Sequence, residues 1–150
     1  MNEAHFHLIV NHLPIIFPIV GLIVILSGFF FKLEVLKRMA FVIFVIGSLS
    51  TIAAMSSGEG AEEIVENISG VNHDYIETHE EAAEAFALTS YILGALSLIA
   101  LWANLRKKKF SGVLTVLILV IVGVVIFLGS NTGTTGGEIR HEEIRANFIP

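Results

Sequence analysis

No cysteine occurs among the 150 residues. This chain therefore offers no disulfide, no thiolate ligand for zinc or an iron–sulfur cluster, and no C-x-x-C-H site for covalent haem attachment. Charge is also scarce: Asp, Glu, Lys and Arg make up 15% of the chain against 54% hydrophobic residues. An ordinary soluble domain carries far more charge than that. The few basic residues form no face suited to nucleic acid. No Lys or Arg precedes the first apolar run, and Glu3 stands where a secretory leader carries positive charge. That run is expected to be a retained membrane helix and not a cleaved signal.

Long apolar runs are present instead. Crossing a ~30 Å hydrocarbon layer takes ~20 helical residues. Four segments meet that length, at residues 8–31, 35–55, 82–105 and 110–128. Short links at residues 32–38 and 106–109 join the first to the second and the third to the fourth. A longer acidic loop, residues 56–81, separates the pairs, and a tail, residues 129–150, follows the last. Short links favour antiparallel neighbours. The expectation is one all-α membrane domain, a four-helix bundle with up-down-up-down topology.

Lys32, Lys37, Arg38, Arg106, Lys107, Lys108 and Lys109 would all fall on one side of the membrane, with only Arg140 and Arg145 on the other. The rule that basic residues stay inside makes the first side cytoplasmic. Both termini and the acidic loop then face outward, and the expected location is the bacterial inner membrane with the outer end in the periplasm. All six histidines (His5, His7, His12, His73, His79 and His141) fall at that outer end, with every carboxylate except Glu34. The inner half of the bundle is Val, Ile, Leu and Phe. Chemistry is therefore expected at the outer end, where polar groups entering an apolar segment mark a functional site.

In a continuous helix His7 and His12 point ~140° apart, so they do not easily share one metal. Pro14 and Pro18 remove helical hydrogen bonds and imply a kink. Ala83, Ala87, Ser90, Gly94 and Ser97 form a stripe of small residues on the third span. Such stripes usually let membrane helices approach closely, though they also leave room for a flat macrocycle. Met55 is a soft donor at the outer end of the second span, but packing is its ordinary use.

Within the acidic loop, Glu59, Glu62, Glu63 and Glu66 recur at helical spacing, and a second short helix is expected over residues 73–86. Thr78-x-x-Glu81 reads as a capping box. Glu138-x-x-His141 is one Glu-x-x-His pattern, and bundle di-iron sites need two. Gly136-Gly137 suggests a sharp turn that sends the tail back over the bundle.

The pattern His7-x4-His12-x-Pro14, His79 at the start of the third span and Gly136-Gly137-Glu138…His141 after the fourth resembles a family of small four-helix bacterial membrane proteins. That family is catalogued as domain of unknown function 2231, and the resemblance covers essentially the whole chain. Two features depart from it: the Glu138–His141 spacing is short and the acidic loop is long. The resemblance implies a redox setting, because such domains occur fused to Rieske or cytochrome c domains.

The expected function is b-type haem binding near the outer face, with His7, His12, His79 and His141 as candidate axial ligands to one or two haems. Glu80 and Glu138 are candidate partners for the histidine N–H groups. The activity expected is electron transfer, with a periplasmic redox protein or quinol as partner, more than stand-alone catalysis. Self-association or membership of a larger complex is compatible with it. Two alternatives remain open: a non-haem site for Cu, Fe or Zn built from His and Glu, and a cofactor-free subunit of a membrane complex. Within the histidines, His12 and His79 are expected to face each other, with His7 meeting His141 on the returning tail.

Overall fold

The structure is a computed structural model that describes residues 2–68, 71–146 and 148–149. Ser69 and Gly70 of the acidic loop, and Asn147 and Pro150 of the tail, lie outside the described residues. The chain forms α1 (Glu3–Val10), α2 (Leu13–Phe30), α3 (Glu34–Glu66), α4 (His73–Leu105) and α5 (Ser111–Glu138), then a short 3-10 turn (Glu142–Ile144). No strand occurs among the described residues. Four helical stretches are long and apolar enough to cross a membrane: Glu3–Phe30, Glu34–Glu66, His73–Leu105 and Ser111–Glu138.

Local chemistry sets the boundaries. Asn2 accepts the His5 N–H and opens α1. Helix α1 stops at Val10, and α2 restarts at Leu13 with Pro14 in its first turn. Asn11 and His12 keep right-handed helical dihedrals, so what is lost here is the bond from residue 14 to Val10 O that a proline cannot make. The expected kink therefore takes the form of a joint at Asn11–His12. Pro18 lies inside α2 and is buried. Helices α2 and α4 end alike. Lys32 and Lys107 adopt φ of 57° and 51°, and the N–H groups of Leu33 and Lys108 reach back to Gly28 O (3.0 Å) and Ala103 O (2.9 Å). Both are left-handed closures, with lysine where glycine is usual.

The acidic loop differs from expectation. Most of residues 56–81 are not loop but continue the spans, leaving only residues 67–72 between α3 and α4. Helices α3 and α4 have 33 residues each, or about 50 Å, well beyond a ~30 Å apolar layer. Their acidic ends extend beyond the apolar stretch. Asn72 caps α4. Thr78 therefore lies inside the helix, donating to Asp74 O at 2.8 Å, and the Thr78–Glu81 capping box does not form. Gly136 and Gly137 belong to the last turn of α5, and the chain turns only after Glu138.

Helix α2 packs on α3, α3 on α4, α4 on α5, and α5 back on α2. Helices α2 and α4 thus stand diagonally across the bundle. The Phe44 ring lies on Gly21, and further along the pair Gly28 meets Lys37. Ile25, Phe41, Phe44, Leu93, Ile118, Val122 and Val125 fill the centre. The small-residue stripe serves close approach: Ala87, Ser90, Gly94 and Ser97 are buried. Ser90 Oγ meets Thr51 Oγ1 at 2.9 Å, and Gly94 receives Ser48.

Candidate functional site

Two histidines occupy equivalent positions at the end of the bundle that carries the acidic helix ends. His7, on α1, points at α3: its Nδ1 lies 3.1 Å from Ala54 O and 3.0 Å from Ser57 Oγ. His79, on α4, points at α5: its Nδ1 lies 3.1 Å from Thr132 O and 3.2 Å from Thr135 Oγ1. Each ring thus meets a carbonyl and the hydroxyl three residues later. Ser57 Oγ donates its own proton to Ala54 O (3.0 Å), and Thr135 Oγ1 donates to Thr132 O (3.1 Å). A carbonyl can only accept, and these hydroxyls have already spent their protons. Nδ1–H is therefore the donor in both rings. In the neutral imidazole that leaves Nε2 as a bare lone pair, and neither Nε2 has a partner among the described residues.

A glycine follows each hydroxyl. A Cβ on Gly136 would stand 2.9 Å from His79 Cε1, so only glycine leaves this ring its position. Gly58 sits beside His7 Cε1 with more room, at 3.9 Å. Ser56-Ser57-Gly58 and Thr134-Thr135-Gly136 are therefore the same device used twice, the first receiving a histidine from α1 and the second from α4.

The other candidates lie elsewhere. His12 falls in the joint between α1 and α2, exposed, with no side-chain hydrogen bond to a described residue. The expected facing of His12 and His79 does not form, because His7 takes the inward position and His12 the outward one. His141 does not meet His7. It is exposed, and its Nδ1 pairs with Glu143 at 3.0 Å. The Glu143 carboxyl is held below the usual carboxylate range by its own backbone N–H and then by that ring. His5 is exposed on α1. The expected carboxylate partners do not reach the rings either. Glu80 lies beside Glu62, and Glu138 offers its backbone oxygen to Arg145 Nε at 2.8 Å. Carbonyls and hydroxyls take the role assigned to Glu80 and Glu138.

Two features escaped the sequence. Arg145 pins the tail: its guanidinium lies 4.2 Å over the Tyr75 ring while it binds the end of α5. Glu62, Glu66 and His73 gather across the α3–α4 connection, with one ligand atom from each within 4.8 Å of the others, and His73 Nδ1 meets Glu66 Oε1 at 2.8 Å. The helical spacing of Glu62 and Glu66 was visible in the sequence. Nothing there showed that His73 would fold back beside them.

The chain matches no protein-family profile, no curated protein and no solved structure.

Proposed function

We propose that the protein is a membrane-embedded b-type haem protein in which the His7 and His79 imidazoles are the two axial ligands. The observation that carries this reading is the matched state of the two rings. Each Nδ1–H is engaged by a carbonyl and a hydroxyl, and each Nε2 is free. Metal-binding histidines are held in this way, with the second nitrogen donating to a fixed acceptor that sets tautomer and orientation. The donor set fits haem iron, for which neutral imidazole is an ordinary axial ligand. A bound b haem supplies a one-electron redox centre. His7 and His79 would hold it, their hydroxyl and carbonyl partners orient the two rings, and Gly136 leaves the His79 ring its place.

The resemblance to the family catalogued as domain of unknown function 2231 agrees with this reading, since two of its pattern histidines are the two paired rings. The helix contacts support an up-down-up-down bundle. His7 meets Ser57 near the far end of α3, while Gly28 meets Lys37 near its start. The Lys and Arg asymmetry supports a bacterial inner-membrane protein with its termini and histidines in the periplasm. With both ligands at one end, the role proposed is a relay at that face, exchanging electrons with quinol or a periplasmic redox protein.

A non-haem metal site is the second reading, and the Glu62–Glu66–His73 group favours it. Carboxylate and imidazole donors of this kind suit iron or zinc. Purification from haem-sufficient cells, followed by an absorption spectrum and metal analysis, separates the two. The haem reading expects a low-spin b-type spectrum and about one iron per chain. Colourless protein that takes up no added haem overturns it. Stoichiometric zinc, iron or copper without a Soret band, lost on Glu62→Gln, establishes the second.

A further inference from the structure

At the end opposite the histidines, α3, the end of α4, the link after it and the start of α5 line an open cavity of about 420 Å³. Lys37, Arg38, Lys107 and Lys108 line it, with Glu34 as the one carboxylate. Glu34 is fully engaged: Oε1 takes Lys37 Nζ at 2.7 Å, and Oε2 takes the Asn104 amide at 2.6 Å. Asn104 is only 8% exposed, and its Oδ1 accepts Arg38 Nε at 2.6 Å. The chain Glu34–Asn104–Arg38 therefore fixes the guanidinium by one edge. The two terminal amino groups of Arg38 have no partner among the described residues. A planar fork held by its Nε and free at its tips is suited to two-pronged binding of a phosphate. Lys107 and Lys108 add charge that nothing on the lining neutralises.

A second feature adjoins this one. An open apolar strip lies along one face of α3, formed by Val35, Met39, Val42 and Ile43, and Arg38 borders it as well. Arg38 thus stands where a polar, basic cavity meets an exposed apolar helix face. Phosphate chemistry explains the cavity alone, whereas a phosphate carrying an acyl chain explains both. Trp102, with Lys108 Nζ 5.5 Å over its ring, marks the interfacial level at which headgroups lie.

We propose that this cavity binds the phosphate of an acidic phospholipid, with one acyl chain lying along the exposed Val35–Ile43 face of α3. The site is independent of the histidine pair. The test uses the full chain in neutral detergent, titrated with short-chain phosphatidylglycerol, phosphatidylcholine of equal chain length and inorganic phosphate, and followed by native mass spectrometry and by thermal stabilisation. Phosphatidylglycerol is expected to bind saturably and at least about tenfold tighter than phosphatidylcholine. Arg38→Gln and the double variant Lys107→Gln/Lys108→Gln should each remove that preference. Lys32→Gln, at the same end but outside the cavity, should keep it. The double variant carries the test if Arg38→Gln fails to fold. Equal binding of the two lipids, or an unchanged preference in the double variant, overturns the proposal. Inorganic phosphate binding as tightly as phosphatidylglycerol overturns the lipid assignment in favour of a free-anion site.

Discussion

His79 and Gly136 show how much one methyl group can decide. A Cβ on Gly136 meets the His79 ring at 2.9 Å, while one on Gly58 meets the His7 ring at an ordinary 3.9 Å. Gly136→Ala should therefore displace its histidine and Gly58→Ala should not. Haem content after purification is the readout, with helicity by circular dichroism as the control. Equal haem content in the two variants, both fully loaded, would count against a ligand role for His79. Lys32 offers a stability test of a different kind. A non-glycine residue in the left-handed region costs ~1–2 kcal/mol, partly offset by the greater freedom of glycine in the unfolded chain. Lys32→Gly should raise stability by about 0.5–1 kcal/mol in a detergent unfolding experiment. A loss of stability would show that the lysine side chain makes a compensating contact.

At the scale of the helix, close approach sets the tolerances. Phe44 is fully buried and its ring lies on Gly21. Gly21→Ala adds a methyl where the packing has no slack and should destabilise by about 1–3 kcal/mol. Thermal unfolding measures it, and a neutral result would mean that α2 and α3 can separate without loss. These elements were legible in the sequence to different degrees. Apolar length announced the four spans, and the small-residue stripe on α4 announced its packing face. The helix ends at the acidic side were not legible. Glu59 to Glu66 mark where the apolar run ends, and the end of an apolar run does not end a helix. Asn72, and not Thr78, proved to be the cap. The choice between His7 and His12 was also hidden, because a helix apolar on every side does not show which face turns inward. The repeated hydroxyl-hydroxyl-glycine triplets were the available signal, since each marks a place where a neighbouring ring can approach a helix.

For the whole molecule, the segregation of charge is the main statement. The cations at Lys37, Arg38, Lys107 and Lys108 gather at one end, and the histidine pair and acidic helix ends lie at the other. The proposed orientation places Lys107 in the cytoplasm and Asn67 outside. Because the chain has no cysteine, a single cysteine at either position reports its side cleanly. An impermeant thiol reagent on intact cells should label the Asn67 position and spare the Lys107 position. The reverse pattern would move the histidine pair to the cytoplasmic face and remove any periplasmic partner. The central claim is that His7 and His79 together hold one haem, and the most direct measurement is the spin state of the haem in the single variants. Wild-type protein should be low-spin, since two imidazoles impose a strong ligand field. His7→Ala and His79→Ala should each convert it to a high-spin form or lose it, while His12→Ala and His141→Ala stay low-spin. Low-spin haem retained in both His7→Ala and His79→Ala would contradict the account.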